Sequence, residues 1–296
     1  MKIDKKIGLE HLYLRSKKGI SLQLNLLTRG EGSRTGCLLS LSTSFCEKSL
    51  ASYFIEKALV GMRQHSYAAA KLRCMYLHEK PSENLGWFGL LFSLLSDSPD
   101  IIHWFSQHSA SLQGAYHKKL YRNQVNSNEY LNLQSLLALQ GKFDLLGERA
   151  EYFLAHPPKN GHKRFKPDHE FYLGLAKGDT IQMEQAIATL CSPKVCNRRN
   201  FIEGEPIAEH LFSISSVYYS KIAWRHGNEV AVDSPYIPLD LLPIAPLKEY
   251  VDEYQFMTDF DIFKPLKGDF KQLSPTRIGQ KSHDITYLAK PLEILA

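Results

Sequence analysis

The 296-residue chain has no uninterrupted apolar run long enough to cross a bilayer. Its longest apolar cluster, Leu85 to Leu95, falls well short of the ~20 residues that a helical span requires. The N-terminal stretch MKIDKKIGLEHLYLRSKK is positively charged but lacks an apolar core of signal-peptide length, so a cytoplasmic location is expected. The five cysteines are odd in number and irregularly spaced, which points to reduced thiols rather than a disulfide framework. A strong charge of one sign is missing too. The formal net charge is +5, and Lys and Arg are dispersed instead of gathered in a stripe, which argues against direct nucleic-acid binding. The one basic cluster, Lys159-Asn-Gly-His-Lys-Arg-Phe-Lys166, follows Pro157-Pro158 and reads as a solvated loop.

The residue patterns that carry common chemistries are equally scarce. Gly30-x-Gly32-x-x-x-Gly36 has the wrong last spacing for a dinucleotide fingerprint and no preceding strand, so it reads as a loop between helices. A Gly-x-x-x-x-Gly-Lys-Ser/Thr phosphate loop is absent. His78-Glu79 is followed by Lys80-Pro81, which breaks the helix that would present a second zinc ligand. Cys191 and Cys196 lack a second ligand pair at metal-binding spacing, and none of the cysteines has an activating partner nearby in sequence. His103 and His108 stand five apart and read as surface or packing residues. The most suggestive dipeptide is His283-Asp284, a pairing that metal phosphohydrolases use; its structural alternative is Asp284 capping a helix over Ile285–Ala289. No catalytic constellation, metal site or cofactor motif emerges, and the chain is not expected to be an enzyme.

What the chain does have is helical periodicity. Strand-like alternation is scarce, and apolar residues recur at spacings of three and four. One such face begins near Leu50 and Phe54 and runs through Met62 and Tyr67-Ala-Ala-Ala70 to Met75 and Tyr76, with Ser49 as a candidate cap and Pro81 as the stop. Further helices are expected over 83–95, 99–107, 115–122, 128–139, 143–155, 167–176, 180–190 and 206–225. Two stretches resemble each other: Glu129–Leu154 and Glu170–Leu190 each carry an aromatic-rich helix, a turn with Gly141 or Gly178, and a second helix with Ala150 or Ala186. Solenoid repeats and antiparallel hairpins of a bundle explain them equally well. The expected fold is all-α: a multi-helix bundle of antiparallel hairpins, partly repeat-like, forming one domain over 1–296. Its helical body covers about 1–227, and a Pro-rich cap covers about 228–296.

The cap differs in composition. Prolines recur at 235, 238, 243, 246, 265, 275 and 291, and Tyr236, Tyr250, Tyr254, Phe256, Phe260 and Phe263 need a surface to bury against. Between Glu229 and Asp269 nine acids face three lysines, a net of −6, so the rest of the chain carries +11. An acidic sector on a basic protein can steer and dock a basic partner, with aromatic rings as anchors. The candidate contact residues are Asp233, Tyr236, Asp240, Glu249, Asp252, Glu253, Asp259 and Asp261. Alternatively, these acids are only the solvated side of short helices.

The run SKIAWRHGNEVAVDSPYIPLDLLPIAPLKEYVDEYQFM resembles the C-terminal signature of the immunity protein 49 family of bacterial polymorphic toxin systems. The matching positions are Ala223, Gly227, Val230, Val232, Asp233, Ser234, Tyr236, Pro238, Leu241 and Leu242. The resemblance implies a non-enzymatic antidote, encoded beside a toxin gene, that binds the cognate toxin domain. With a cytoplasmic location, the implied toxin acts inside the cell: a nuclease first, a nucleotide-cofactor-consuming enzyme second. A helical-repeat adaptor and a metal-dependent hydrolase using His283-Asp284 are the alternatives.

Overall fold

The computed structural model describes residues 4–80, 86–107, 123–159, 161–203, 208 and 210–264. The expected helix at 115–122 and the dipeptide His283-Asp284 lie outside these residues.

The fold is all-α, and no strand occurs among the described residues. Helices α1 (Lys5–Ser16), α2 (Ser21–Arg29), α3 (Arg34–Phe54), α4 (Leu59–Glu79), α5 (Gly86–Ser96) and α6 (Pro99–Gln107) precede the two similar hairpins. These hairpins are α7 (Asn128–Leu139) with α8 (Phe143–Ala155), and α9 (Lys166–Lys177) with α10 (Thr180–Cys191). Then come α11 (Pro193–Glu203), α12 (Ile214–Arg225) and a single turn of helix, α13 (Gln255–Thr258). From α7 to α12 each helix packs on the next, and α12 closes back onto α5. Short loops make such neighbours antiparallel.

The starts and stops follow local chemistry. Asp4, Ser33, Ser127, Asp179 and Ser213 each accept a backbone N–H in the first turn of the helix they precede. Gly178 ends α9 at φ +67°, a left-handed conformation that costs glycine nothing. Gly30 and Gly32, both at φ +67°, form the loop between α2 and α3, as their sequence pattern implies.

Three expectations are corrected. The apolar face from Ser49 to Tyr76 is not one helix: α3 ends at Phe54, and the chain reverses through residues 55–58 before α4 begins. Lys57 adopts φ +57° in that turn, so no glycine marks it. Ser49 caps nothing. It is fully buried where α3 meets α4, 2.7 Å from the Ser66 hydroxyl and donating to the Met62 carbonyl at 3.1 Å. Ser42 likewise donates to the Ala69 carbonyl at 2.9 Å, and with Ala68, Ala69 and Ala70 these small residues let the two helices lie close together. The stretch 206–225 is helical only from Ile214, where Ser213 supplies the cap, while α1 and α11 were not expected, and α2 was implied only as the helix before the Gly30–Gly36 loop, without bounds.

The interior of the second half is unusually polar for a helical core. Arg199 of α11 forks onto Asp168 of α9 with two bonds of 2.8 Å, and the Tyr219 hydroxyl donates to the same carboxylate at 2.5 Å. Nearby, the Arg149 Nε donates to Gln134 at 3.0 Å, and its guanidinium lies 4.0 Å from the Tyr130 ring centroid. His169 stacks on Phe153 with centroids 3.7 Å apart; burial, then the positive charge of Arg149, pushes its pKa well down, so it sits neutral in the core.

The buried phenols have a pH consequence. Burial pushes Tyr130 up to about 12, and Tyr172, Tyr218 and Tyr219 are also held well above the ordinary 10.0. Their folded pKa values are raised, so the stability they contribute is complete below pH 10.0 and is lost as pH rises past it. Lys221 works in the opposite direction over a lower window. Burial depresses it from 10.5 to about 8, so its cost to folding is relieved between those values. Denaturant midpoints measured against pH are therefore expected to hold or rise slightly from 8 to 10 and to fall steeply above 10. Ionisation of these four buried tyrosines, read by ultraviolet absorbance, should lag until the chain unfolds. A monotonic fall from pH 8 would contradict this balance.

Candidate functional site

The segment after α12 lies along the helical body as an irregular strap. Gly227, at φ +80°, turns the chain out of the helix, and the Asn228 N–H returns to the Ala223 carbonyl at 3.0 Å. Val230, Ile237, Leu241 and Leu242 are buried and pin the strap through its apolar positions. Polar stitches alternate with them. Trp224 Nε1 donates to the Val230 carbonyl at 3.0 Å, the Ala231 N–H to Glu184 of α10 at 2.8 Å, and the Ser213 N–H to the Tyr236 carbonyl at 2.8 Å.

The next part is held by a buried ionic centre that sequence reasoning did not anticipate. Asp97, in the turn between α5 and α6, is 1% exposed and has φ +55°. It accepts from Lys221 Nζ at 2.6 Å, from Arg63 Nε at 3.4 Å and from the Ala245 backbone N–H at 3.1 Å. Lys221 also donates to the Pro243 carbonyl at 3.3 Å. Beside it, the Tyr250 hydroxyl donates to the Ser96 carbonyl at 2.6 Å and accepts from the Leu247 N–H at 3.0 Å. One carboxylate thus joins α4, α12 and the cap.

The eight candidate contact residues do not form one uniform face. Asp233 and Glu249 are exposed, and no ion pair ties them among the described residues. Asp259 is exposed and accepts from its neighbour Gln255 at 2.8 Å; Asp261, also exposed, accepts the Phe263 N–H at 2.9 Å. Tyr236 is half-buried, with its backbone carbonyl engaged by Ser213. The other three acids reach back to the body. Asp240 accepts from the Tyr53 hydroxyl at 2.5 Å, and Glu253 faces His65 at 3.4 Å. Asp252 takes Lys71 Nζ at 2.6 Å and the Tyr67 hydroxyl at 3.2 Å. Their partners lie more than 180 residues away in sequence, so composition could not separate acids that fasten the cap from acids left to solvent.

Between α4, the start of α6 and the cap lies a pocket of about 330 Å³. Among the described residues it is lined by Tyr67, Lys71, Asp100, Ile101, Tyr250 and Phe260–Phe263, with Ser98. Tyr67 and Tyr250 stack with centroids 4.8 Å apart, and Phe260 meets His78 edge-on at 4.8 Å. Burial and then Asp252 raise the Tyr67 phenol, so this wall is neutral at physiological pH. Asp97 and Asp100 were missed because SDSPD reads locally as nothing more than a cap before Pro99.

All five cysteines are buried free thiols, and burial pushes Cys196 up to about 11 and Cys74 well above its ordinary value, opposite to an activated nucleophile. Among the described residues no group of three or more His, Cys, Asp or Glu is placed to hold a metal ion, and no helix is long and apolar enough to cross a membrane. No family model, curated protein or solved structure matches the chain.

Proposed function

We propose that the chain is an immunity protein, a non-enzymatic antidote that binds and neutralises a cognate toxin domain acting in the cytoplasm, a nuclease being the foremost class. The observation that carries the reading is the acidic, aromatic cap: it is fastened to the body by Asp97, Asp240 and Asp252, yet leaves Asp233, Glu249, Asp259 and Asp261 at the surface. Nuclease domains that bind nucleic acid present cationic surfaces, which such a rim attracts and orients. Inhibition follows from covering the toxin's active cleft or holding it in an unproductive conformation. The signature at Gly227–Leu242 supports the same reading, as a strap that positions the acidic rim.

The partner is expected to be the product of the adjacent gene, and co-expression should yield a complex that survives purification. Once that complex is in hand, Glu249→Lys with Asp259→Lys should slow association by about tenfold at low salt and much less at high salt. These exposed positions are cleaner than Asp252 and Glu253. Asp252→Lys would set an ammonium against Lys71 and loosen the cap itself. An unchanged association rate would sink the electrostatic docking idea.

A helical-repeat adaptor is the second reading, favoured by the successive packing of α7 to α12. It requires no toxic neighbour, and that difference separates the two.

A further inference from the structure

We infer that the chain self-associates: the corner between α1 and α2 of one copy docks on a second copy, on the face where the strap passes the α3–α4 turn. The inference goes beyond the antidote reading and does not depend on it.

The first argument is where apolar surface is left over. Eleven large apolar side chains are exposed among the described residues, and nine of them gather in two patches. Single exposed apolar residues are ordinary, whereas clustered ones mark a surface that something else covers. At the corner, Tyr13 and Leu14 stand in the last turn of α1, and Leu22 opens α2. Ile7 lies two turns before Leu14 on the same side of α1. Helix α2 has four leucines in nine residues, yet none of its residues is buried. The second patch is assembled by long-range bonds. Tyr53 donates to Asp240, which brings Leu239 to the end of α3, where Ile55 follows. Gln64 exchanges two bonds of 2.7 and 3.1 Å with the Val251 backbone, one turn of α4 beyond Val60. Ile244 precedes Ala245, whose N–H meets Asp97 beside Arg63 of the same helix.

The second argument is charge, which differs in sign between the patches. Between Glu10 and Glu31 the chain carries four cations and no acid. Arg15 is tied to Glu47 at 2.6 Å, and Lys17, Lys18 and Arg29 are exposed. Around the strap face Glu56, Asp240, Glu249 and Glu253 are exposed, against Lys57 and Lys248. Glu56 accepts from the Ser52 hydroxyl at 3.0 Å and Asp240 from that of Tyr53; both donors are neutral, so the carboxylate charge stays. Glu253 faces His65 at 3.4 Å. An apolar centre with a cationic rim therefore has, on the same chain, an apolar centre with an acidic rim to meet. Pairing two corners or two strap faces would oppose like charges, so the unlike pairing is the favoured one. Both halves are also built in advance. The corner is braced by Arg15–Glu47 and by Gln23 donating to Ser40 at 3.1 Å, and the strap face by the bonds above, so little ordering opposes docking.

The test is the mass of the full chain in solution, by sedimentation and light scattering, from about 1 µM to about 1 mM. The mass is expected to rise above that of the monomer with concentration, and to rise less at high salt, where the rims are screened. Two variants separate the halves: Leu14→Ser with Leu22→Ser alters the corner, and Val60→Ser with Val251→Ser alters the strap face. All four positions are exposed, and unfolding midpoints establish that both variants are folded. Each variant alone should associate at least about tenfold more weakly than the parent. Mixed in equal amounts, the two should associate again, because one contributes an intact strap face and the other an intact corner. A parent chain that stays monomeric over the whole range would overturn the inference. So would variants that associate like the parent, or a mixture no stronger than either variant alone, which is the result if like surfaces pair. Vesicles of phosphatidylcholine with and without phosphatidylglycerol supply the remaining arm. A monomeric parent that binds only the anionic vesicles, and loses them in the corner variant, would assign the corner to a membrane surface and overturn the pairing. Every arm uses this chain without the neighbouring toxin, so its result stands apart from that of the antidote reading.

Discussion

Asp168→Asn is expected to destabilise the chain by about 3–5 kcal/mol, because it leaves a guanidinium buried without its counter-charge. Asp168 is 0% exposed and Arg199 2% exposed, and the two are joined by a forked pair of 2.8 Å bonds. Asparagine keeps the shape and one acceptor for Tyr219, but it has no charge to set against Arg199. The chain then either holds this cation in its core without the Asp168 charge or unfolds. A urea titration should show a lower midpoint with the slope unchanged. Replacing both partners, Asp168→Leu with Arg199→Met, should recover most of the loss, because the expense lies in breaking the pair rather than in lacking it. A single-variant loss below about 1 kcal/mol would mean that water reaches Arg199 and the site is not dry.

Asp97→Asn is expected to cost about 3 kcal/mol by the same mechanism, with a different spatial signature. Asparagine tolerates the left-handed conformation that Asp97 adopts at φ +55°, so the substitution removes charge without straining the turn. Lys221, fully buried, loses its 2.6 Å partner, Arg63 loses its own, and the Ala245 N–H keeps only a neutral acceptor. The loss therefore falls on the contact between cap and body. Limited proteolysis should cut within residues 228–264 of this variant before it cuts the helices, whereas Asp168→Asn should open the body and cap together. Lys221→Met added to Asp97→Asn should restore part of the global stability. If both single variants show the same cleavage order, the cap is not held by the Asp97 centre.

These two centres also show where sequence reading succeeds and where it stops. The bounds of α6, α7 and α8 were expected to the residue, because Pro99, Ser127 and Gly141 punctuate regular apolar spacing. The break between α3 and α4 escaped notice because Ile55-Glu56-Lys57-Ala58 contains neither glycine nor proline, and a lysine takes the positive φ. Helix α11 escaped because part of what it buries is polar: Arg199 and Asn200 lie in the core through their partners, Asp168, Phe212 and Ile214, so apolar periodicity is absent. The acidic, aromatic character of the cap was plain from composition. Its division into acids that fasten the cap to the body and acids exposed at the surface was not, since Asp252 finds Lys71, and Asp240 finds Tyr53, only once the chain has folded.

The cap and its exposed acids matter only if a partner meets them. The most direct measurement is growth of bacterial cells expressing the toxin domain of the adjacent gene, with and without this chain. The account expects arrest without the chain, recovery with it, co-purification of the two proteins, and weakened recovery with Glu249→Lys and Asp259→Lys. A toxic neighbour that neither binds the chain nor is relieved by it, or a neighbour with no toxicity at all, would contradict the central claim.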